Sequence, residues 1–258
     1  MEHTVNYLGL IPLFPLIGAV ILGLFHIFTC TREPLAEKFY GILACVGPLL
    51  SFILALTVFF QLKGMPADSR FLTHDAFTWF SVGDLHITMG FLADPLSSLM
   101  LLFVTFIGSL IHIYSVGYMA GDDNFGKFFA YMNLFLGSML ILVLGSGPVV
   151  MFVGWEGVGL CSYLLISFYS KDTDNVLAGN KAFIVNRIGD LGFVLGMAFL
   201  FWAIGAGGFE YLSLRENAHL LTPGIGLAVC LLLFVGACGK SAQIPLYVWL
   251  PDAMAGPT

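Results

Sequence analysis

Charged residues are scarce in this chain of 258 residues, since Asp, Glu, Lys and Arg together make up only 10% of it. Soluble domains average about 25% charged residues, so the sequence lacks the polar surface that a water-soluble globule needs. Residues of the apolar set AVILMFWYC reach 59%, and the mean hydropathy is +0.93. The composition therefore excludes an ordinary soluble fold and predicts a protein that crosses a membrane several times.

Several kinds of functional motif are also missing from the sequence. The 10 basic residues, against 16 acidic ones, form no run that would favour nucleic acid or anionic lipid. The five cysteines have no CxxC or Cys/His spacing, which argues against disulfides, iron–sulfur clusters and metal sites. No GxGxxG motif after a strand, P-loop or Ser/His/Asp nucleophile can be read. We therefore expect no cofactor, metal or nucleic acid on this chain.

Charge-free apolar runs predict seven membrane-spanning helices. A hydrocarbon core of about 30 Å needs roughly 20 apolar helical residues, and a helix pairs the backbone polar groups that lipid cannot satisfy. We place the spans at 6–29, 40–61, 90–116, 127–145, 148–169, 181–205 and 223–250. The predicted fold class is all-α: a polytopic transmembrane helical bundle of one domain, residues 1–258, with a broken seventh helix.

Loop charges predict the orientation of this bundle. The loops after the first, third and fifth spans carry five basic residues, namely Arg32, Lys38, Lys127, Lys171 and Lys181. The N-terminus and the other loops carry three, so the positive-inside rule places the N-terminus outside the cytoplasm. Within the outer loop 62–89, polar and apolar residues alternate around Gly83-Asp84. This alternation predicts a small extracytoplasmic hairpin.

Ionisable residues inside or at the edge of the predicted spans are the strongest functional signal. There are five: Asp94, Glu156, Arg187, Asp190 and Lys240. A charge at the centre of a membrane helix costs about 2.5–3.5 kcal/mol by insertion scales, so such residues usually pair or line a hydrated path. Asp94 precedes a proline at a helix start, and we interpret it as an ordinary N-cap. The other four are our candidate proton-translocation residues.

Glu156 is expected near the middle of the bilayer. It is the ninth residue of a helix that begins near Pro148, and at 1.5 Å per residue it lies about 12 Å deep. Gly154, Gly157 and Gly159 flank it, so that neighbouring helices or water can approach the carboxylate. We interpret Glu156 as a proton-exchanging group.

Arg187, Asp190 and Lys240 complete the candidate set. Arg187 and Asp190 are three residues apart on one helical face, which allows either a static ion pair or a switch that releases one partner. Lys240 lies five residues before Pro245, which removes a helical hydrogen bond. Interrupted helices at membrane depth mark ion sites in transporters. We expect Lys240 to bind and release a proton according to its distance from Glu156.

Two histidines and the end of the chain carry weaker signals. His112 and His26, both in apolar helices, are candidate proton relays, although a lone histidine there is more often a hydrogen-bonded core residue. Lys181 is interpreted as a positive-inside anchor. The chain stops at 251–258, directly after the seventh apolar element. We therefore expect it to be the front part of a longer polypeptide.

Two stretches resemble a known family. Residues 154–165, GWEGVGLCSYLL, and residues 239–258, which begin GKSAQIP and end WLPDAMAGPT, resemble the L subunit family of the proton-pumping NADH:quinone oxidoreductase, respiratory complex I. The mitochondrial counterpart is chain 5. The segments 113–119 and 187–190 are also similar to that family, and the likeness runs along nearly the whole chain.

The resemblance implies an antiporter-like helical subunit of the membrane arm. Glu156 then matches the essential glutamate of the fifth helix, Lys240 the lysine of the broken seventh helix, and Arg187 and Asp190 a modulating charged pair on the sixth. It implies proton transfer driven by quinone reduction elsewhere, in a bacterial inner membrane. NADH, FMN, iron–sulfur clusters and quinone would be bound by partner subunits, and other membrane-arm subunits would be the neighbours of this chain.

Three other classes of function stay open at this point. A subunit of a multi-component cation/proton antiporter shares the Lys-Ser-Ala-Gln and Leu-Pro-Asp-Ala-Met elements. A seven-helix retinal protein would also carry a lysine in its seventh span, but Pro245 and Pro251 follow that lysine and the third span lacks a clear carboxylate counter-ion. A purely structural membrane scaffold is the third alternative.

Overall fold

The structure, a computed structural model, describes residues 4–29, 34–83 and 85–257 of the chain. In these residues, seven helices are long and apolar enough to cross a membrane, as predicted. They are α1 (Leu10–Thr29), α2 (Pro34–Lys63), α3 (Pro95–Tyr118), α4 (Phe125–Leu144), α5 (Pro148–Ile166), α6 (Thr173–Ile204) and α8 (Pro223–Lys240). A short helix α7 (Tyr211–Asn217) precedes α8, and a hairpin of β1 (Leu72–Val82) and β2 (Leu85–Ala93) precedes α3.

Several helix boundaries differ from the predicted ones; for example, α1 begins at Leu10 rather than 6, and α2 begins at Pro34 rather than 40. The third span does not begin at residue 90, because residues 85–93 form β2 and the helix begins at Pro95. The sixth begins at Thr173 rather than 181, because the carboxylate of Asp172 caps it by accepting a hydrogen bond from the backbone N–H of Asp174 at 3.0 Å. The seventh ends at Lys240, before Pro245, rather than at 250.

The N-cap role of Asp94 is confirmed. Its Oδ1 accepts a hydrogen bond from the backbone N–H of Ser97 at 2.7 Å, and the Ser97 hydroxyl accepts one from the backbone N–H of Asp94 at 2.7 Å. This reciprocal capping box satisfies two donors that the first turn of a helix leaves without partners. Asp94 therefore fixes where α3 begins.

We expect Asp94→Ala to lower the free energy of unfolding by about 1 kcal/mol, whereas Asp94→Asn keeps a capping oxygen and costs less. Thermal unfolding of the full-length subunit measures both effects. An Asp94→Asn variant that unfolds as easily as Asp94→Ala would contradict the N-cap interpretation.

The described residues divide into two compact units, which we treat separately. The first runs up to Phe77 and includes Met89–Gly145 and Val150–Val158; the second contains Thr78–Thr88, Ser146–Val149 and the residues from Gly159 onward. Glu156 thus belongs to the first unit, and Asp190 and Lys240 to the second. The prediction that residues 1–258 form a single, incomplete transmembrane domain stays a prediction.

The base of the hairpin is tied to the start of α1 in the first unit. The backbone N–H of Gly9 donates to Nδ1 of His74 at 3.1 Å, and the backbone N–H of Val5 donates to the carbonyl of Thr73 at 2.9 Å. The hairpin turns at Gly83, whose φ of +58° suits glycine; Asp84 lies outside the described residues. A hairpin with its turn at the predicted position is confirmed, and its extracytoplasmic location stays a prediction.

Helix α3 of the first unit buries mostly polar side chains and exposes apolar ones. On α3 the buried polar residues are Ser98, Thr105, Ser109, His112 and Ser115. The exposed ones are large and apolar, among them Phe103, Ile107 and Ile111. A soluble amphipathic helix shows the reverse arrangement, so α3 has the surface of a helix that faces lipid.

In the second unit, the segment that follows α6 packs against the start of α5. The backbone N–H of Tyr211 donates to the carbonyl of Ser146 at 2.9 Å. A Cβ on Gly147 would lie 1.8 Å from the carbonyl oxygen of Phe209, so only glycine fits there. Burial raises the pKa of the Tyr211 phenol to about 12, which keeps it neutral at physiological pH.

Candidate functional site

Helices α6 and α8 cross with their backbones in direct contact. A Cβ on Gly189 would lie 3.1 Å from Cα of Gly239, and a Cβ on Gly239 would lie 3.3 Å from Cα of Gly189. Small residues allow membrane helices to approach this closely. Because Asp190 and Lys240 are the next residues along these two helices, the crossing brings both side chains to the same level.

Lys240 and Asp190 form a buried ion pair at this crossing. Nζ of Lys240 lies 3.4 Å from Oδ2 of Asp190 and donates a hydrogen bond to it. The side chains are 16% and 3% exposed, respectively. Charged side chains that are this little exposed are tolerated when they are paired. The pair therefore joins the sixth and seventh membrane spans through opposite charges.

Helix α5 provides a third side of this site. A Cβ on Gly159 would lie 2.5 Å from Nζ of Lys240, so the ammonium occupies space that a side chain would otherwise fill. Gly159 belongs to the same compact unit as Asp190 and Lys240. Three helices thus enclose the ammonium, and glycines on all three make the approach possible.

The end of α8 is anchored by the segment that follows it. The indole N–H of Trp249 donates to the carbonyl of Gly239 at 3.0 Å, and the backbone N–H of Gln243 donates to the carbonyl of Cys238 at 2.9 Å. Both carbonyls would lack partners at a free helix end. The interrupted helix therefore presents Lys240 at a rigid terminus inside the membrane-spanning segment.

Sequence reasoning missed the partnership between Lys240 and Asp190. It paired Asp190 with Arg187 on the same helix and Lys240 with Glu156. The guanidinium of Arg187 lies over the ring of Phe183, 4.8 Å from its centroid, and its expected modulating role stays a prediction. The available signal was the repeated dipeptide, glycine followed by a charged residue, in Gly189-Asp190 and Gly239-Lys240.

Glu156 is placed by close packing of α5 on α4 in the first unit. A Cβ on Gly154 would lie 2.3 Å from the backbone nitrogen of Leu142, and a Cβ on Gly157 would lie 2.6 Å from the hydroxyl oxygen of Ser138. The expectation that these glycines admit a neighbouring helix is confirmed. The Glu156 residue is half-buried, and its role as a proton-exchanging group stays a prediction.

His112 is a buried residue of α3 with one ring nitrogen in a hydrogen bond. The residue is 1% exposed, and its Nδ1 lies 2.7 Å from the carbonyl oxygen of Gly108. That carbonyl can only accept, so Nδ1 carries a proton, and Nε2 is an acceptor in the neutral form of the ring. Within the described part of the chain Nε2 has no hydrogen-bond partner. This geometry suits a core histidine, and the relay role stays a prediction.

Lys181 makes an exposed ion pair with the segment after α8. Its Nζ lies 2.6 Å from Oδ2 of Asp252, and both side chains are 45% exposed. The pair ties α6 to the 3₁₀ turn Leu250–Ala255. Its interpretation as a positive-inside anchor stays a prediction.

No group of three or more His, Cys, Asp and Glu side chains that could hold a metal ion occurs among residues 4–29, 34–83 and 85–257. The expectation that redox cofactors belong to other subunits stays a prediction.

Two protein-family models match the sequence. The model "NADH:quinone oxidoreductase/Mrp antiporter, TM" matches residues 148–258, a range that contains α5, α6 and α8 and hence the whole candidate site. The model "NADH-Ubiquinone oxidoreductase (complex I), chain 5 N-terminus" matches residues 79–129.

Individual relatives agree with these models. NAD(P)H-quinone oxidoreductase subunit 5 of the chloroplast of Zygnema circumcarinatum is 40% identical, covering 100% of this chain and 37% of the relative. NADH-quinone oxidoreductase subunit L of Mycobacterium tuberculosis is 40% identical, and the match covers 98% of this chain and 38% of the relative. The solved Mrp complex of a Dietzia species superposes with a TM-score of 0.76 at 26% identity, covering 96% of this chain and 25% of that one.

The seven apolar helices and these matches define an integral membrane protein whose residues 148–258 resemble the antiporter-like domain shared by NADH:quinone oxidoreductases and Mrp antiporters. Among the named relatives, the chain is similar over its full length to the subunits called L, or subunit 5, of NADH:quinone oxidoreductases. It spans 37–39% of the length of three of the curated relatives that it matches.

Proposed function

We propose that this chain is part of the proton-translocating membrane subunit of an NADH:quinone oxidoreductase. Quinone reduction in other chains drives proton transfer through Glu156, Arg187, Asp190 and Lys240. The observation that carries the proposal is the buried pair of Lys240 and Asp190 at the end of an interrupted membrane helix. The 40% identity to subunits named L and 5 supports it.

The same proposal covers the cofactors, the neighbouring subunits and the membrane. NADH, FMN, iron–sulfur clusters and quinone are bound by partner subunits, and other membrane-arm subunits are the neighbours. The membrane is the bacterial inner membrane, with the N-terminus on the extracytoplasmic side. The excess of basic residues in the loops after the first, third and fifth spans supports this orientation.

The proposed proton step takes place at Nζ of Lys240. While the pair is closed, the carboxylate of Asp190 stabilises the ammonium form. When the pair opens, the buried ammonium loses that stabilisation, its N–H bond breaks, and the electron pair stays on Nζ. The released proton leaves Nζ along the translocation path, to which we also assign Glu156 as a proton-exchanging group on the strength of the family motif at 154–165. Arg187, three residues before Asp190, competes for the same carboxylate.

The energy needed to move a proton across the membrane is similar in size to the energy of breaking a buried ion pair. Moving one proton against 100 mV requires about 2.3 kcal/mol. Removing one partner of a buried ion pair costs roughly 3–5 kcal/mol. Opening and closing the pair of Lys240 and Asp190 can therefore change the proton affinity of Nζ by the amount that pumping demands.

We expect Glu156→Gln and Lys240→Ala, each in the full-length subunit, to depress proton pumping while the complex still assembles. The amide cannot exchange a proton, and alanine removes the ammonium altogether. Pumping is measured with a pH-sensitive dye in reconstituted vesicles and divided by the rate of quinone reduction. Lys171→Ala, which removes an exposed lysine, is the control. Normal pumping in both variants would remove these residues from the path.

A second candidate function is a subunit of a multi-component cation/proton antiporter, which the superposition on the Mrp complex favours. Purification of the native complex separates the two candidates. A flavin and iron–sulfur clusters that co-purify with the full-length subunit would support the oxidoreductase. Cation/proton exchange by a complex without redox groups would support the antiporter instead.

A further inference from the structure

Glycines on α5, α6 and α8 enclose the ion pair of Lys240 and Asp190, but they face different kinds of atoms. At the crossing of α6 and α8, Gly189 and Gly239 face backbone atoms of the opposite helix. Added side chains there would force the helices apart. At Gly159 the atoms within 4 Å of a Cβ, outside its own helix and among the described residues, are Nζ and Cε of Lys240, at 2.5 and 3.8 Å.

The neighbour of Gly159 is thus the mobile end of a flexible side chain. A methyl group at this position would be accommodated by movement of the ammonium rather than by movement of a helix. The hydrogen bond of that ammonium to Oδ2 of Asp190 is already 3.4 Å long. Typical N–H···O bonds are 2.7–3.2 Å, so even a small displacement away from Asp190 breaks this one.

We propose that Gly159 is a positioning residue: the space it leaves on α5 seats the Lys240 ammonium within reach of the Asp190 carboxylate. A side chain at 159 would require the ammonium to leave the position in which it donates to Asp190. The inference rests on the proposed function for its effect on pumping, but the contact between Gly159 and Nζ stands on geometry alone.

The first test measures pumping by the Gly159→Ala variant of the full-length subunit in its assembled complex. Misplacing a reacting group by about 1 Å can cost up to about 10²-fold in rate, and we expect a loss on the order of tenfold in protons moved per quinone reduced. Complex content should be normal. The matched control is Gly226→Ala on α8, where a Cβ has no atom within 4 Å. Wild-type pumping by Gly159→Ala would overturn the proposal.

The second test is a double-mutant cycle on thermal unfolding of the assembled complex, with Gly159→Ala, Lys240→Ala and the double variant. If Gly159 acts through the ammonium, alanine at 159 lowers the unfolding midpoint when Lys240 is present and does not lower it when Lys240 is absent. An equal decrease in both backgrounds would overturn the proposal, because it would show a general packing defect. Coupling in this cycle together with normal pumping by Lys240→Ala would uphold the contact and refute the proposed function.

Discussion

Asp190→Asn is expected to destabilise the full-length subunit more than the double variant Asp190→Asn/Lys240→Met does. Asparagine removes the carboxylate charge that faces the ammonium of Lys240, whose side chain is 16% exposed. Breaking a buried pair typically costs 3–5 kcal/mol, whereas replacing both charges by apolar groups is often neutral. Because Lys240 is not fully buried, we expect about 3 kcal/mol for the single variant. Thermal unfolding of the assembled complex measures the difference.

The pair of Lys181 and Asp252 serves as the control for this experiment. Its charges are closer, at 2.6 Å, but both side chains are 45% exposed. Exposed ion pairs contribute about 0–1 kcal/mol, so Asp252→Asn should change the midpoint little. If burial decides the contribution to stability, the pair of Lys240 and Asp190 contributes more than the pair of Lys181 and Asp252, although its charges are farther apart. Equal losses from Asp190→Asn and Asp252→Asn would contradict the buried-pair interpretation.

Most of the fold could be predicted from the sequence because lipid imposes a simple rule on helix length and charge. Runs of about 20 apolar residues mark the spans, and all seven are present in the described structure. Asp94 was predictable because a capping box is local chemistry that involves residues only three apart.

The third and seventh spans were placed wrongly at positions where an apolar run does not form a helix. Residues of β2 such as Ile87, Phe91 and Ala93 are apolar and buried. Periodicity alone cannot separate a short buried strand from the first turns of a helix. The end of α8 at Lys240 depends on hydrogen bonds from Trp249 and Gln243, which form only because the segment after Lys240 folds back on the end of the helix.

The residues of the ion pair could be predicted, but their partnership could not. A charge in an apolar helix is visible in one sequence, and Asp190 and Lys240 were both identified that way. Which charges meet depends on where two helices cross, and that follows from the contact of Gly189 with Gly239. Glycine–charge dipeptides on two membrane helices are therefore a pattern that points to an ion pair at a crossing.

Gly154→Ala is expected to produce the most severe folding defect on α5. A Cβ at this position would lie 2.3 Å from the nitrogen of Leu142 and 2.7 Å from the carbonyl oxygen of Ser138. Both are backbone atoms of α4, so the clash cannot be relieved by a side-chain rotation. Overpacking costs typically 1–3 kcal/mol and occasionally more, and we expect about 3 kcal/mol or above, because only separation of α4 from α5 makes room.

The amount of full-length subunit recovered in the assembled complex measures this defect, and Gly226→Ala, placed in open space, provides the control. Helix propensity favours alanine over glycine by about 1 kcal/mol, so the control should assemble at least as well as the wild type. Gly154 is only two residues from Glu156, and a role in proton transfer would give assembled complexes that do not pump. That outcome would contradict the packing argument; loss of assembly would show that this glycine brings α5 against α4 and thereby places Glu156.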